Sequence, residues 1–177
     1  RCSRAANVCD LVASLPIEDP LALQSMYIFK QPRIGGEVTY HQDTTYLYTE
    51  PSSVIGMWWA LEDATIENGC LWAWPGGHRE AVRSRFIRNP DNTVRYDVFD
   101  DTPWPADKFV PLEVPKGTLV VFGGNLPHGS AANRSDHSRH AYTLHVIDGA
   151  RPYPATNWLQ RDPGLPLRGF KEQPSPR

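Results

Sequence analysis

The sequence predicts an all-β fold, mainly antiparallel, as a barrel or sandwich with a short helix at the start and an irregular tail at the end. Three observations predict it. From residue 25 onward, short runs rich in Tyr, Val, Ile, Phe, Trp and Thr alternate with clusters of Gly, Pro, Asn and Asp. Those clusters include Gly35-Gly36, Glu67-Asn68-Gly69, Pro75-Gly76-Gly77 and Lys116-Gly117, which suit tight turns between antiparallel strands. Helical spacing of apolar residues is confined to one place near the start.

That place is residues 5–15, where Val8, Leu11, Val12 and Leu15 recur at about the helical period and Pro16 ends the run. Strands are expected near 25–30, 37–42, 54–62, 70–74, 93–99, 109–114, 118–122 and 140–147. Residues 78–88 mix charged and apolar side chains and are expected to form a helical turn or loop. Residues 151–177 are proline-rich and aperiodic, so irregular coil around Trp158, or a frayed end, is expected.

With 177 residues, 40% of them hydrophobic, the chain has enough material for a single domain spanning residues 1–177. It begins at Arg1 without an initiator Met, and its first elements read as the middle of something longer. The 18 basic and 20 acidic residues are interspersed, leaving a net charge of -2 and no footprint for nucleic acid or an anionic membrane. No apolar run is long enough to span a bilayer and no export signal is legible, so a soluble protein with a small-molecule partner is expected, as a monomer. Cys2, Cys9 and Cys70 are odd in number and lack paired spacing. A cytoplasmic or other reducing intracellular compartment follows as the expectation.

The chemistry centres on His41-Gln42-Asp43. On a strand, residues two apart face the same way, about 7 Å apart along the backbone, so one ion can engage both. His128, after the apolar run ending at Phe122 and the turn at Asn125-Leu126-Pro127, is the best third ligand. Two imidazoles and one carboxylate on one face of an octahedron leave three positions open, the arrangement of non-haem iron(II) oxygenases. Arg139, eleven residues beyond His128, can hold a carboxylate by two parallel hydrogen bonds and would anchor the far end of 2-oxoglutarate chelated to iron. Arg134 competes for that role, and Arg139 could instead balance Asp136. His78, His137, His140 and His145 read as structural. Trp72, Trp74, Trp104, Tyr46 and Tyr48 could wall an apolar pocket, though aromatic residues on strands are more often core.

With these residues in place, the sequence resembles the phytanoyl-CoA dioxygenase family of iron(II)- and 2-oxoglutarate-dependent oxygenases. The resemblance runs through residues 24–32, the glycine pair before Glu37-Val38, His41-Gln42-Asp43 with residues 47–51, and residues 61–65 leading into 67–72. It continues in Ser135-Asp136, Ser138-Arg139, Ala141-Tyr142-Thr143 and residues 157–160. It implies a double-stranded β-helix, a jelly-roll of cupin type, with the metal in its mouth. It implies Fe(II) on His41, Asp43 and His128, a carboxylate anchor at Arg139, and Met26 and Trp58 along the 2-oxoglutarate pocket. Trp59 would then face the other way.

O2 would be the second co-substrate, and a small apolar or carboxylic-acid-containing substrate would be hydroxylated with release of succinate and CO2. The family also places a helical segment and a co-substrate-binding lysine upstream of this region, and nothing in the chain matches them. Two alternatives compete: a hydrolase or isomerase holding zinc on the same ligands, which has no need of Arg139, and a non-catalytic barrel that keeps the ligand set.

Overall fold

The structure, a computed structural model, describes residues 2–170. Helix α1 (Ala6–Ala13) ends where Ser14 caps it, its backbone N–H reaching Asp10 and Leu11 carbonyls and its hydroxyl donating to Leu11 O at 2.6 Å. Pro16 cannot continue the ladder. The helix buries Val8 and Val12, each contributing roughly 1.5–3 kcal/mol, against Met57, Leu144, Val146 and Phe170.

Strands β1 (Pro20–Ile28), β2 (Val38–His41), β3 (Ile55–Ala60), β4 (Leu71–Ala73), β5 (Ser84–Arg88) and β6 (Val94–Val98) follow in order. After them come β7 (Val110–Leu112), β8 (Leu119–Gly123), β9 (His128–Ser130), β10 (Ala141–Asp148) and β11 (Arg168–Gly169). Every registered pairing among them is antiparallel. They form a five-stranded sheet, β11-β1-β10-β3-β8, a four-stranded sheet, β2-β9-β4-β7, and the separate hairpin β5-β6.

Strand alternation decides what the five-stranded sheet presents on each side. Met57, Leu144 and Val146 face α1, while Trp58, Ala60 and Ala141 pack against Cys70 and Leu71 of the opposing sheet. Trp59 sits on the α1 side with Tyr142, opposite to Trp58. The two sheets thus face each other across an apolar layer, as in a jelly-roll. The layer is incomplete at one end, where the strands carry His, Ser and Thr inward instead of aliphatic side chains.

Several elements depart from the sequence expectation. Strand β1 begins at Pro20, five residues early: proline is tolerated as the first residue of a strand, and a bulge between Ala22 and Gln24 accommodates the extra length. Residues 78–88 contain only one 3-10 turn (Gly77–Arg79), after which β5 pairs with β6. The arginines hid its period of two: Arg85 lies over the Tyr48 ring, 4.3 Å from its centroid, while Phe86 packs on Tyr96 and Ile87 is buried. The tail is irregular but pinned. Asn157, fully buried, accepts a hydrogen bond from Tyr48 N and donates one to Tyr48 O, and β11 pairs with Leu21 and Ala22. Trp158, expected at its centre, is 37% exposed, and residues 171–177 of the expected tail lie outside the described residues. No helix among the described residues is long and apolar enough to cross a membrane.

Candidate metal centre

His41 ends β2 and His128 opens β9, and the two stand directly opposite in the ladder between those strands. Their rings lie 4.4 Å apart between centroids. Asp43 is not on the strand, as the His-x-Asp spacing had suggested; it starts a 3-10 turn, Asp43–Thr45. The same-face geometry survives because Gln42 between them stays extended, at φ -112° and ψ 132°. Gln42 is fully buried and held there, its amide donating to Ala81 O and Asn125 O.

Both imidazoles are oriented by backbone. His41 Nδ1–H donates to Thr39 O at 2.8 Å and His128 Nδ1–H to Leu126 O at 2.9 Å, which leaves each Nε2 as the lone-pair atom. Each Nε2 lies 3.6 Å from Asp43 Oδ1. The potential ligand atoms of His41, Asp43 and His128 lie within 4.8 Å of one another, close enough to hold one ion. Burial pushes the Asp43 carboxyl up, but His128, His145 and His41 outweigh it and hold the group well below the usual carboxylate range. Burial likewise lowers the His128 pKa despite Asp43, which favours its neutral form. For His41, burial is overcome by the hydrogen bond and charge of Asp43, and its pKa rises.

Two contributors were not recognised in the sequence. His145 of β10, which read as structural, points inward and its Nε2–H donates to Asp43 Oδ2 at 3.1 Å, fixing the second carboxylate oxygen. Gly56 of β3, opposite His145, leaves room for that carboxylate: a Cβ there would meet Asp43 Oδ2 at 2.9 Å and Phe122 Cε2 at 2.7 Å. The inward parity of β10 was the available signal for His145. Gly56 had none, because its role depends on β8 and on the turn after β2.

A cavity of about 300 Å³ opens from these three residues, His41, Asp43 and His128, between the sheets, lined among others by Met26, Trp58, Ser130, Thr143 and Arg139. Arg139 is 1% exposed and its Nε–H donates to Gly69 O at 2.9 Å. Its Nη2 reaches Ser130 Oγ at 3.5 Å, and its Nη1 is buried without a partner. Arg134, the competitor, is exposed on the surface, and Asp136 pairs with Arg33 at 2.6 Å, so neither takes up Arg139. Of the suggested aromatic walls, Trp72, Trp74 and Tyr48 lie outside this cavity. Tyr46 and Trp104 instead line a second, more polar one of about 350 Å³ that also touches His41. His78, His137 and His140 do not line either cavity.

A family model described as phytanoyl-CoA dioxygenase (PhyH) matches residues 2–141. The chain belongs to the phytanoyl-CoA dioxygenase family. It is 50% identical over 169 residues to mouse phytanoyl-CoA dioxygenase domain-containing protein 1, covering 93% of this chain and 58% of the mouse protein. It is 52% identical over 170 residues to rice phytanoyl-CoA dioxygenase 1, covering 93% of this chain and 59% of that protein. This phytanoyl-CoA dioxygenase family chain thus spans somewhat over half the length of these relatives. Among solved structures, EvdO2 from Micromonospora carbonacea, in complex with 2-oxoglutarate, superposes with a TM-score of 0.66 at 25% identity, covering 90% of this chain and 68% of that one. The non-haem monooxygenase ThoJ shares the fold at a TM-score of 0.71 and 20% identity, over 97% of this chain and 60% of that one.

Proposed function

We propose that this chain is an iron(II)- and 2-oxoglutarate-dependent oxygenase that hydroxylates a small apolar or carboxylic-acid-containing substrate, with O2 as oxidant and succinate and CO2 as by-products. One observation carries the reading: the facing Nε2 atoms of His41 and His128 and the Asp43 carboxylate share a cavity with a buried arginine whose Nη1 has no partner. Two imidazoles and one carboxylate suit iron(II) with open positions. A buried guanidinium with its Nη1 unpartnered suits a carboxylate.

When bound, iron(II) and 2-oxoglutarate would together activate O2, the oxidant. The remaining work falls to the chain. His41, Asp43 and His128 would hold the metal, with Thr39 O, Leu126 O and His145 keeping the three ligands oriented. Arg139 would receive the distal carboxylate, while Met26 and Trp58 wall the pocket and exclude water. The substrate would approach by the cavity that Tyr46, Trp104 and His41 share.

Incubation with iron(II), ascorbate and 2-oxoglutarate tests this. Succinate is expected, lost in Asp43→Ala and strongly reduced in Arg139→Ala. Wild-type protein that binds iron(II) but yields no succinate refutes the oxygenase reading. Succinate persisting in Asp43→Ala refutes the ligand assignment.

A further inference from the structure

Lys30 is the one lysine that the structure buries almost completely among the described residues, at 2% exposure, and the proposed chemistry does not use it. It lies just after β1, and its stem runs between two glycines. A Cβ at Gly35 would meet Lys30 Cγ at 2.5 Å, and one at Gly69 would meet Lys30 Cδ at 2.9 Å. Gly69 has φ +85°, where a side chain would be strained in any case. The slot delivers the ammonium to Ser130 Oγ, to which it donates at 2.8 Å, and to Ala131 O. The backbone ties the same place to Arg139, whose N–H donates to Lys30 O at 2.9 Å.

Two buried cations therefore flank one serine hydroxyl at the inner end of the cavity, and neither pairs with a carboxylate among the described residues. Burial and, after it, the charge of neighbouring Arg139 lower the Lys30 pKa to about 8. A buried positive pair without an anion is costly, and an anion entering the cavity relieves it. The serine gives this a direction. A hydroxyl has two acceptor sites and one proton, and here the oxygen accepts from Lys30 and, at 3.5 Å, from Arg139. Its proton is left to donate into the cavity that Ser130 lines and Lys30 does not.

We infer that Lys30 is a positioning residue of the co-substrate pocket: from behind Ser130 it fixes the hydroxyl as a donor, so that the pocket selects a dicarboxylate over a monocarboxylate. The inference rests on the oxygenase reading and concerns the end of the pocket remote from the metal. A lysine of merely structural value would hold the loop after β1 in place and would affect every 2-oxo acid alike.

The test is binding without turnover. Anaerobic iron(II)-loaded protein is titrated with 2-oxoglutarate and with 2-oxobutanoate, which chelates identically but lacks the distal carboxylate, following the visible charge-transfer absorbance of the chelate. Wild-type protein should bind 2-oxoglutarate more tightly. Lys30→Met should weaken 2-oxoglutarate by about tenfold or more and leave 2-oxobutanoate within about twofold. Ser130→Ala should do the same, and the double variant should lose little beyond the larger single loss, because both act through one hydroxyl.

Equal weakening of both acids in Lys30→Met, or fully additive losses, overturns the inference. If Lys30→Met does not fold, Ser130→Ala decides by the same pair of titrations: loss confined to 2-oxoglutarate supports the relay and equal loss refutes it. Wild-type protein that gives no absorbance change with either acid refutes the oxygenase reading itself, and this proposal with it.

Discussion

Gly56→Ala adds one methyl group at the point where the sheets crowd the proposed metal ligands. The new carbon would stand 2.7 Å from Phe122 Cε2, 3.0 Å from Phe122 Cζ and 2.9 Å from Asp43 Oδ2. Ordinary carbon contacts lie at about 3.5–4.0 Å, so roughly 0.8 Å must be found somewhere. Strand β3 cannot supply it, because Gly56 pairs with His145 on one side and Phe122 on the other. If Phe122 moves, it presses on His128, whose ring centroid is 4.6 Å away; if Asp43 moves, the carboxylate leaves its place between the imidazoles. Overpacking of this kind costs about 1–3 kcal/mol, which at about 2–4 °C per kcal/mol lowers Tm by several degrees. A displaced ligand costs about 10–100-fold in metal affinity. Calorimetric titration with cobalt(II) and thermal unfolding of metal-free protein measure the two effects. Gly36→Ala is the control, since a Cβ there meets nothing. Gly56→Ala that binds cobalt(II) within twofold of wild type and unfolds at the same temperature refutes the packing argument.

His145→Phe keeps a ring in the cavity but removes the donor to Asp43 Oδ2, so metal affinity should fall by about 10–100-fold, and His145→Gln should recover part of it; equal binding by His145→Phe and wild type in the same titration rules out the positioning role. Lys30 predicts a pH dependence of stability in metal-free protein. Its pKa is about 8 folded against 10.5 for a free lysine, so the unfolded chain holds the extra proton between those values and folding becomes more favourable as pH rises through that window. At about 1.4 kcal/mol per pH unit the ceiling is about 3 kcal/mol. Denaturant unfolding at pH 7.5 and pH 9.5, compared with Lys30→Met, isolates the effect, because tyrosines such as Tyr46, raised to about 12, are common to both proteins. A wild-type profile parallel to that of Lys30→Met would show that Lys30 carries no buried charge.

The amino-acid sequence by itself determined the local periods. Alternating apolar residues and turn glycines marked the strands that became β2, β3, β6, β8 and β10, and Pro16 ended α1. It also determined the family, through motifs close together in the chain, and it singled out His41, Asp43, His128 and Arg139, which the structure brings to one cavity with Met26 and Trp58. Local pattern could not mark β9, because three residues reading His-Gly-Ser carry neither β-branched side chains nor alternation; they are a strand because β2 and β4 lie on either side. Nor could it show that His41 faces His128 across the ladder, that His145 reaches Asp43, or that Lys30 threads between Gly35 and Gly69 to Ser130. Lys30 and Gly35 apart, these contacts join residues about 40 to 100 positions apart, and neighbours at that separation are chosen by packing of the whole domain. Periodicity fixes which way a side chain points; only the folded sheets decide what it meets.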